Sequence, residues 1–241
     1  MTGRIAMGRT AIWTDISGKL QAEIGTGQRQ PGDKLPTEAE LSARFGVNRH
    51  TIRRALADLA DRGLVHSRRG AGVFVQAKPL DYALGRRTRL SANLAAMGRE
   101  AGRDILSIET RRADPAEAAA LRIAEGAPVH AVEGISMADG LPIATFRSVL
   151  PADRFPTLPD ALRHYNSITL ALTEMGVADY TRAETRLTAK RASASTALRL
   201  RLREGDPLML TVSINIDSDG VPVEYGHTWF AGDRVTLTIA T

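Results

Sequence analysis

The sequence predicts an α+β protein of two domains, and three observations carry that prediction. Residues 36 to 72, PTEAELSARFGVNRHTIRRALADLADRGLVHSRRGAG, hold two short helical patterns, a Phe45-Gly46-Val47 break between them, and a basic, glycine-punctuated hairpin behind them. Net positive charge is confined to that end: residues 1 to 76 hold 12 Lys and Arg against 7 Asp and Glu, and the remainder 20 against 20. Beyond residue 88 the chain repeats itself, with turn signals placed for antiparallel strands. At 241 residues there is enough chain for two cores of ordinary size.

In the first domain, residues 11 to 24 carry Ile12, Ile16, Leu20 and Ile24 at four-residue steps, the stripe of a helix packed beneath its neighbours. Gly18 and Gly25 weaken it locally, and Pro31-Gly32 marks a turn. Thr37 is placed to cap a second helix whose Ala39, Leu41 and Phe45 point inward, and Gly46 to end it at positive φ. Asn48 caps the third. There Ile52, Ala55, Leu56 and Leu59 recur at three- and four-residue steps, which buries one stripe and leaves Arg49, His50, Arg53 and Arg54 outside. Leu64-Val65 and Val73-Phe74-Val75 flank the turn Arg68-Arg69-Gly70-Ala71-Gly72, completing the plan of a winged helix-turn-helix.

A recognition helix sets its N-terminal residues against base edges in the major groove, and its free N–H groups and dipole favour a phosphate. Asn48, Arg49, His50 and Arg53 occupy that end. An arginine fork on guanine O6 and N7 discriminates by about 1–3 kcal/mol. A solvated helix face is the plainer reading of such a charge run; the basic wing directly behind it favours DNA. Residues 77 to 87, with Pro79 and no apolar period, read as an extended linker, so the domains divide as 1–76, 77–87 and 88–241.

In the second domain Ser91 to Met97 reads as a short helix and Ile105 to Ala113 as a strand. Leu121-Arg122-Ile123-Ala124-Glu125-Gly126-Ala127-Pro128 returns as Leu200-Arg201-Leu202-Arg203-Glu204-Gly205-Asp206-Pro207, and Asp139-Gly140-Leu141-Pro142 as Asp219-Gly220-Val221-Pro222. Upstream, Glu109-Thr110-Arg111 matches Glu184-Thr185-Arg186. Each copy reads strand, helix, strand, tight turn, strand, with Asp-Gly supplying the positive φ of a hairpin. Two copies imply about six antiparallel strands. Helices around Ala116 to Leu121 and Ser195 to Leu200 would cover one face, Leu162 to Met175 would form a helical cover between the copies, and a pocket would open where the halves meet.

The first domain resembles the DNA-binding domain of GntR-type regulators. The residues that carry this are Pro31-Gly32-Asp33-Lys34-Leu35-Pro36-Thr37-Glu38, Leu41-Ser42, Phe45-Gly46-Val47, Thr51-Ile52-Arg53-Arg54-Ala55-Leu56 and Gly63-Leu64-Val65. The resemblance implies that Thr37, Asn48, Arg49, His50 and Arg53 touch phosphate or bases, and that Arg69 and Gly70 form a wing tip in the minor groove. The second domain is similar to the UTRA effector-binding domain of the HutC branch, a fold related to chorismate lyase. The segment Leu121 to Pro128, Asp139-Gly140-x-Pro142, Gly220-Val221-Pro222-Val223-Glu224-Tyr225 and Gly232-Asp233-Arg234 carry that likeness. Within the branch, Asp81-Tyr82-x-Leu84-Gly85-Arg86-Arg87-Thr88-Arg89, Asp179-Tyr180-x-Arg182 and Phe230 to Arg234 resemble regulators of phosphonate metabolism.

What the second resemblance implies is a small anionic effector, phosphonate- or phosphate-like, held by Arg89 and Ser91 from the loop before the first helix and by Ser167, Arg182, Glu224 and Phe230. Arg182 would face the anion, Glu224 a hydroxyl or amine, and Phe230 the wall. Arg182 and Glu224 as a cross-strand ion pair, and Ser167 as a helix cap alone, remain open alternatives. Sugar-phosphate-binding relatives place two cations and a carboxylate where this chain has Gly134, Ser136 and Phe146, which argues for a smaller effector. The family also implies a homodimer on a two-fold operator and repression of transcription.

Other function classes find little support. The absence of cysteine removes disulfides and thiolate metal sites, and no apolar run of about 18 residues suggests a membrane span, so a cytoplasmic protein without cofactor or metal is expected. The histidines His50, His66, His130, His164 and His227 form no HxH or HExxH pair, and no catalytic residue suggests itself. A lyase-like enzyme and a non-specific architectural DNA-binding protein are the two alternatives; the second leaves the large C-terminal domain without a task.

Overall fold

A computed structural model of the chain describes residues 11–68, 70–76, 79–87 and 89–239. It divides into two compact units, residues 1–78 and 79–241.

The first unit holds helices α1 (Ile12–Gly25), α2 (Glu38–Phe45) and α3 (Arg49–Asp61), then the antiparallel hairpin of β1 (Val65–Arg68) and β2 (Gly72–Val75). Its core is built from Ile16, Leu20, Leu35, Leu41, Ile52, Ala55, Leu56, Leu59, Val65 and Val75. Two expected core positions lie elsewhere. Ile12 is 62% exposed, and Ala39 is exposed. A period of 3.6 rather than four residues rotates the α1 stripe, so Ser17 and Glu23 are buried in company with Ile16 and Leu20. Both are satisfied: Ser17 donates to Asp58, and Glu23 pairs with Arg29 and Arg44. Thr37 caps α2 in a reciprocal box with Glu40, Gly46 ends it at φ 65°, and the Asn48 side chain accepts from Thr51 N at 2.9 Å.

The second unit opens with β3 (Leu80–Ala83), pairs it in parallel with its last strand β10 (Val235–Thr238), and places α4 (Leu90–Ala96) after it. The stretch read as an extended linker holds this strand, and next to it Leu80 N donates to Arg234 O and Leu84 N to Thr238 O. The body is one six-stranded antiparallel sheet. Copy one is β4 (Ala101–Arg112), α5 (Pro115–Leu121), β5 (Pro128–Ala138) and β6 (Leu141–Pro151). After the helical cover α6 (Leu158–Tyr165) and α7 (Ile168–Glu174), copy two is β7 (Thr181–Arg191), α8 (Ala194–Leu200), β8 (Pro207–Ile216) and β9 (Pro222–Ala231). The strand order β4-β5-β6-β9-β8-β7 joins the copies at β6 and β9.

Strand register gives the correspondence of the copies. Arg112 faces Pro128, and Arg191 faces Pro207. Glu109 thus answers to Thr188, and its match to Glu184 in the sequence is four residues out of register. Both repeat helices end in an arginine at positive φ, Arg122 at 54° and Arg201 at 52°. Each helix packs across the join, α5 against β9 and α8 against β6: Ala118 and Leu121 of α5 cluster with Val129, Val149 and Tyr225, while Ala197 and Leu200 of α8 cluster with Leu208 and Trp229 of their own copy.

The α5 end is pinned by an acid. Glu117, 1% exposed, accepts from both Arg111 guanidinium nitrogens at 2.7 Å, from Arg147 and from Asp114 N. The Arg111 hydrogen bonds, helped by the backbone N–H and Arg147, hold its carboxyl down to about 2 against the cost of burial. A depressed folded-state pKa stabilises the fold above the ordinary carboxylate pKa, and that contribution is lost as pH falls through the folded value. Glu117→Gln should therefore lower unfolding free energy by roughly 2–3 kcal/mol at neutral pH. In urea titrations the gap between variant and parent should close between pH about 4.5 and about 2. A gap that persists at the acid end would contradict the clamp.

Candidate functional site

Two sites emerge, one in each unit. In the first, the α2 and α3 N-termini lie side by side. Arg53 lays its guanidinium fork on Glu38, Nε to Oε1 at 3.2 Å and Nη2 to Oε2 at 3.0 Å. That bond first, then the charges of Arg49 and His50, hold the Glu38 carboxyl below its usual range. Thr37, Asn48, Arg49, His50 and Arg53 are all exposed there. The Arg53 pair is exposed on both sides, so solvent screening leaves it weak and easily opened toward a phosphate or base. Arg54 leaves this group and stacks over Trp13, 4.7 Å from the ring centre. Gly70 sits exposed in the wing turn at φ 76°; Arg69 lies outside the described residues.

In the second unit, one face of the sheet is polar although it is buried. Period-two alternation puts Thr211, Ser213 and Asn215 of β8 on that face beside Glu224, Gly226, Thr228 and Phe230 of β9. Ser148 and Phe146 of β6 and Ser136 of β5 continue it, and Arg103 and Arg182 close it from the two outer strands. Thr169 and Ile168 of α7, with Tyr82, Arg89 and Tyr180, roof the space. The cavity is about 90 Å³, well below the roughly 300 Å³ and upward of pockets for drug-sized ligands.

Three arginines, Arg89, Arg103 and Arg182, and one carboxylate, Glu224, line it. Arg89 stacks on Tyr180 at 3.6 Å and donates to Tyr180 O at 3.0 Å and Asp179 at 3.3 Å. Arg103 stacks over Phe146 at 4.9 Å. Among the described residues neither Arg103 nor Arg182 has a carboxylate partner, and Arg182 Nε is buried with no hydrogen bond. Burial raises the Tyr82 phenol pKa, and the charges of Arg182 and Arg103 both act against that rise. Tyr180 is raised by burial and then by Glu224, and lowered by Arg89 and Arg103. Tyr82 thus feels the arginines of both outer strands, and Tyr180 that of β4 alone.

Of the residues singled out in the sequence, Arg89, Arg182, Glu224 and Phe230 line the cavity. Ser91 and Ser167 do not. Ser91 is exposed on α4, and Ser167 caps α7 by accepting from Leu170 N at 3.3 Å, which places its neighbours Ile168 and Thr169 in the wall instead. Arg182 and Glu224 are not an ion pair: Glu224 accepts from Ser148 Oγ and from Asn215 Nδ2 at 2.7 Å. None of the five histidines lines the cavity. His130 is held between Thr110 and the Phe155 carbonyl, with its pKa lowered by burial.

Arg103 is the residue that reading by motif misses. The repeat contains the signal, since the 79-residue step from Leu121 to Leu200 also carries Arg103 to Arg182 and Ser136 to Asn215. Register agrees: Arg103 faces Ser136 as Arg182 faces Asn215.

A winged helix with an exposed cationic end, and a separate sheet unit closing on a polar cavity, are the parts of a two-unit DNA-binding regulator. Comparison with known proteins agrees. Residues 14–75 match the family model described as bacterial regulatory proteins, gntR family, and residues 96–236 match the UTRA domain. HTH-type transcriptional regulator RB1450 of Rhizobium meliloti, itself named as uncharacterized, is 38% identical over 232 residues, covering 96% of this chain and 95% of that one. The probable transcriptional regulator PhnF of Escherichia coli K12 is 34% identical over 230 residues, 94% of each chain. The crystal structure of PhnF from Mycobacterium smegmatis superposes with a TM-score of 0.66 at 27% identity, over 96% of this chain and 99% of that one. The chain belongs to the GntR family of transcriptional regulators, in its HutC branch with a UTRA domain, and these relatives are regulators, not enzymes.

One glycine shapes the cavity floor. A Cβ on Gly134 would lie 2.6 Å from Phe146 Cζ and also collide with the Asp104 carbonyl. Gly134→Ala should cost about 1–3 kcal/mol by overpacking, read as a lowered thermal midpoint. An unchanged midpoint would mean that Phe146 is free to leave its place over the strand.

Proposed function

We propose that this regulator is a homodimeric, cytoplasmic repressor whose second unit takes a small phosphonate- or phosphate-like anion into the cavity and so alters operator affinity. The observation that carries this reading is the pair Arg103 and Arg182, two guanidinium groups without a carboxylate partner among the described residues, lining one polar cavity from the two outer strands of the sheet. Charge-assisted, forked donors suit phosphate oxygens. The resemblance to phosphonate regulators and the small volume point the same way. In this reading Thr37, Asn48, Arg49, His50 and Arg53 meet the operator, with Arg69 and Gly70 at the wing. Arg103 and Arg182 take the anion with Arg89 beside them, Phe230 walls it, Glu224 takes a polar group of the ligand, and Ser91 and Ser167 stay outside. In the same reading the DNA-binding domain spans 1–76 and the effector domain 88–241, and the connection 77–87 carries β3, which β10 pairs to the effector domain.

Coupling follows from where the cavity wall begins. Arg182 N donates to Arg86 O at 2.7 Å, Arg87 bonds Asp179 at 2.8 Å, and Arg89 reaches the same turn. The loop behind β3, which carries the cavity residue Arg89, is thus tied to the start of β7, which carries Arg182. A ligand that favours one setting of this loop acts on the connecting segment, and couplings of this kind are typically about 1–3 kcal/mol.

Fluorescence anisotropy on DNA from upstream of the regulator's own gene, against scrambled DNA, tests the reading with phosphate and simple alkylphosphonates as probes. Arg49→Ala should weaken operator binding by about tenfold or more. Arg182→Ala should still bind the operator and lose the probe-induced shift. The opposite division of effects would refute the assignment, and equal affinity for both DNAs would favour an architectural role.

A further inference from the structure

The two copies of the repeat build the cavity almost symmetrically, and the place where symmetry fails carries chemistry. Arg103 with Ser136 in copy one corresponds to Arg182 with Asn215 in copy two. One strand further in, Ser136 faces Ala144 and Asn215 faces Glu224. The join therefore has two equivalent cations and one carboxylate without a counterpart. Ala144 is fully buried at the equivalent place, so the sheet itself does not require an acid there.

Glu224 is 8% exposed and lines the cavity. Its two oxygens accept from Ser148 and Asn215, both neutral donors, and among the described residues no cation pairs with it. An ionised carboxylate has about four lone-pair sites, so acceptor capacity remains. A buried charge held by neutral donors alone is costly, and a ligand cation offsets that cost. Arg182, two strands away along the row Arg182, Asn215, Glu224, presents a buried Nε with no partner. One small cavity thus holds an unpaired cationic side and an unpaired anionic side.

We infer that the effector is a zwitterion, a phosphonate or phosphate monoester with a protonated amine on a short alkyl spacer, its anionic head between Arg103 and Arg182 and its ammonium on Glu224. The inference rests on the anion-site reading above and narrows it. A purely anionic ligand would leave Glu224 uncompensated and repelled. A hydroxyl could bond Glu224 but would not neutralise it.

Isothermal titration calorimetry of the full chain separates these ligands, using 2-aminoethylphosphonate, 2-hydroxyethylphosphonate and ethylphosphonate at one pH and salt. The amine should bind about tenfold or more tightly than either of the others. Glu224→Gln should remove that margin by weakening the amine, while ethylphosphonate binds more tightly once the nearby carboxylate is gone. Arg103→Gln should weaken all three. Equal affinities of the amine and ethylphosphonate for the parent protein would overturn the zwitterion and leave the anion site standing. A margin that survives Glu224→Gln would overturn the assignment to that carboxylate. Binding of none of the three, nor of inorganic phosphate, would overturn this inference together with the anion reading. If the Glu224 variant does not fold, the parent's preference for amine over hydroxyl decides alone.

Discussion

Everything in the second unit depends on burying a polar face of a β-sheet. Buried hydroxyl, amide and carboxylate groups cost free energy unless they find partners, and an apolar core avoids the problem altogether. Here one face is ordinary: α5 and α8 cover Val129, Val149, Tyr225 and Trp229. On the other face, Ser136, Ser148, Thr211, Ser213, Asn215 and Glu224 are all buried. Apolar clusters flank this polar band, one under α6 and α7 around Phe146 and Leu150, the other around Tyr82, Leu94 and Phe230. They bound the band on either side, so its donors and acceptors meet in one small space.

Much of the fold is legible in the amino-acid sequence. Asn48, Gly46 and the stripe from Ile52 to Leu59 act locally, so capping chemistry and helical period are enough to place α3. The Asp-Gly turns and the repeated Leu-Arg segment give the strand count because a hairpin is also local. What stays hidden depends on register. Glu109-Thr110-Arg111 matches Glu184-Thr185-Arg186 by identity, and bulges in β4 and β7 upset simple counting at the outer strands. Four residues of slip conceal the equivalence of Arg103 and Arg182. Ser91 and Ser167 mislead for another reason. A helix-capping or loop serine and a ligand-binding serine look alike in sequence, and only the direction of the side chain separates them.

The two units manage charge in opposite ways. At the α2 and α3 N-termini, cations are exposed and the acidic partner of Arg53, Glu38, is itself solvated, so that pair is screened and opens at little cost. Around the cavity, cations are fixed by stacking: Arg89 on Tyr180 and Arg103 on Phe146. A stacked guanidinium has given up rotamer freedom in advance, so less is lost when it makes a further hydrogen bond.

The parallel pairing of β3 with β10 also bears on how the chain folds. Leu80 to Ala83 can take up strand geometry only when Val235 to Thr238 is available, a contact spanning almost the whole second unit. Such long-range pairing forms late, because the loop must close before any bond rewards it. Among the described residues, the core and hairpin of the first unit are built from positions up to Val75. During synthesis from the N-terminus, a helix-turn-helix able to meet DNA can therefore be complete while the strand behind it still lacks its mate. Responsiveness to a ligand is acquired last, after the ability to hold an operator.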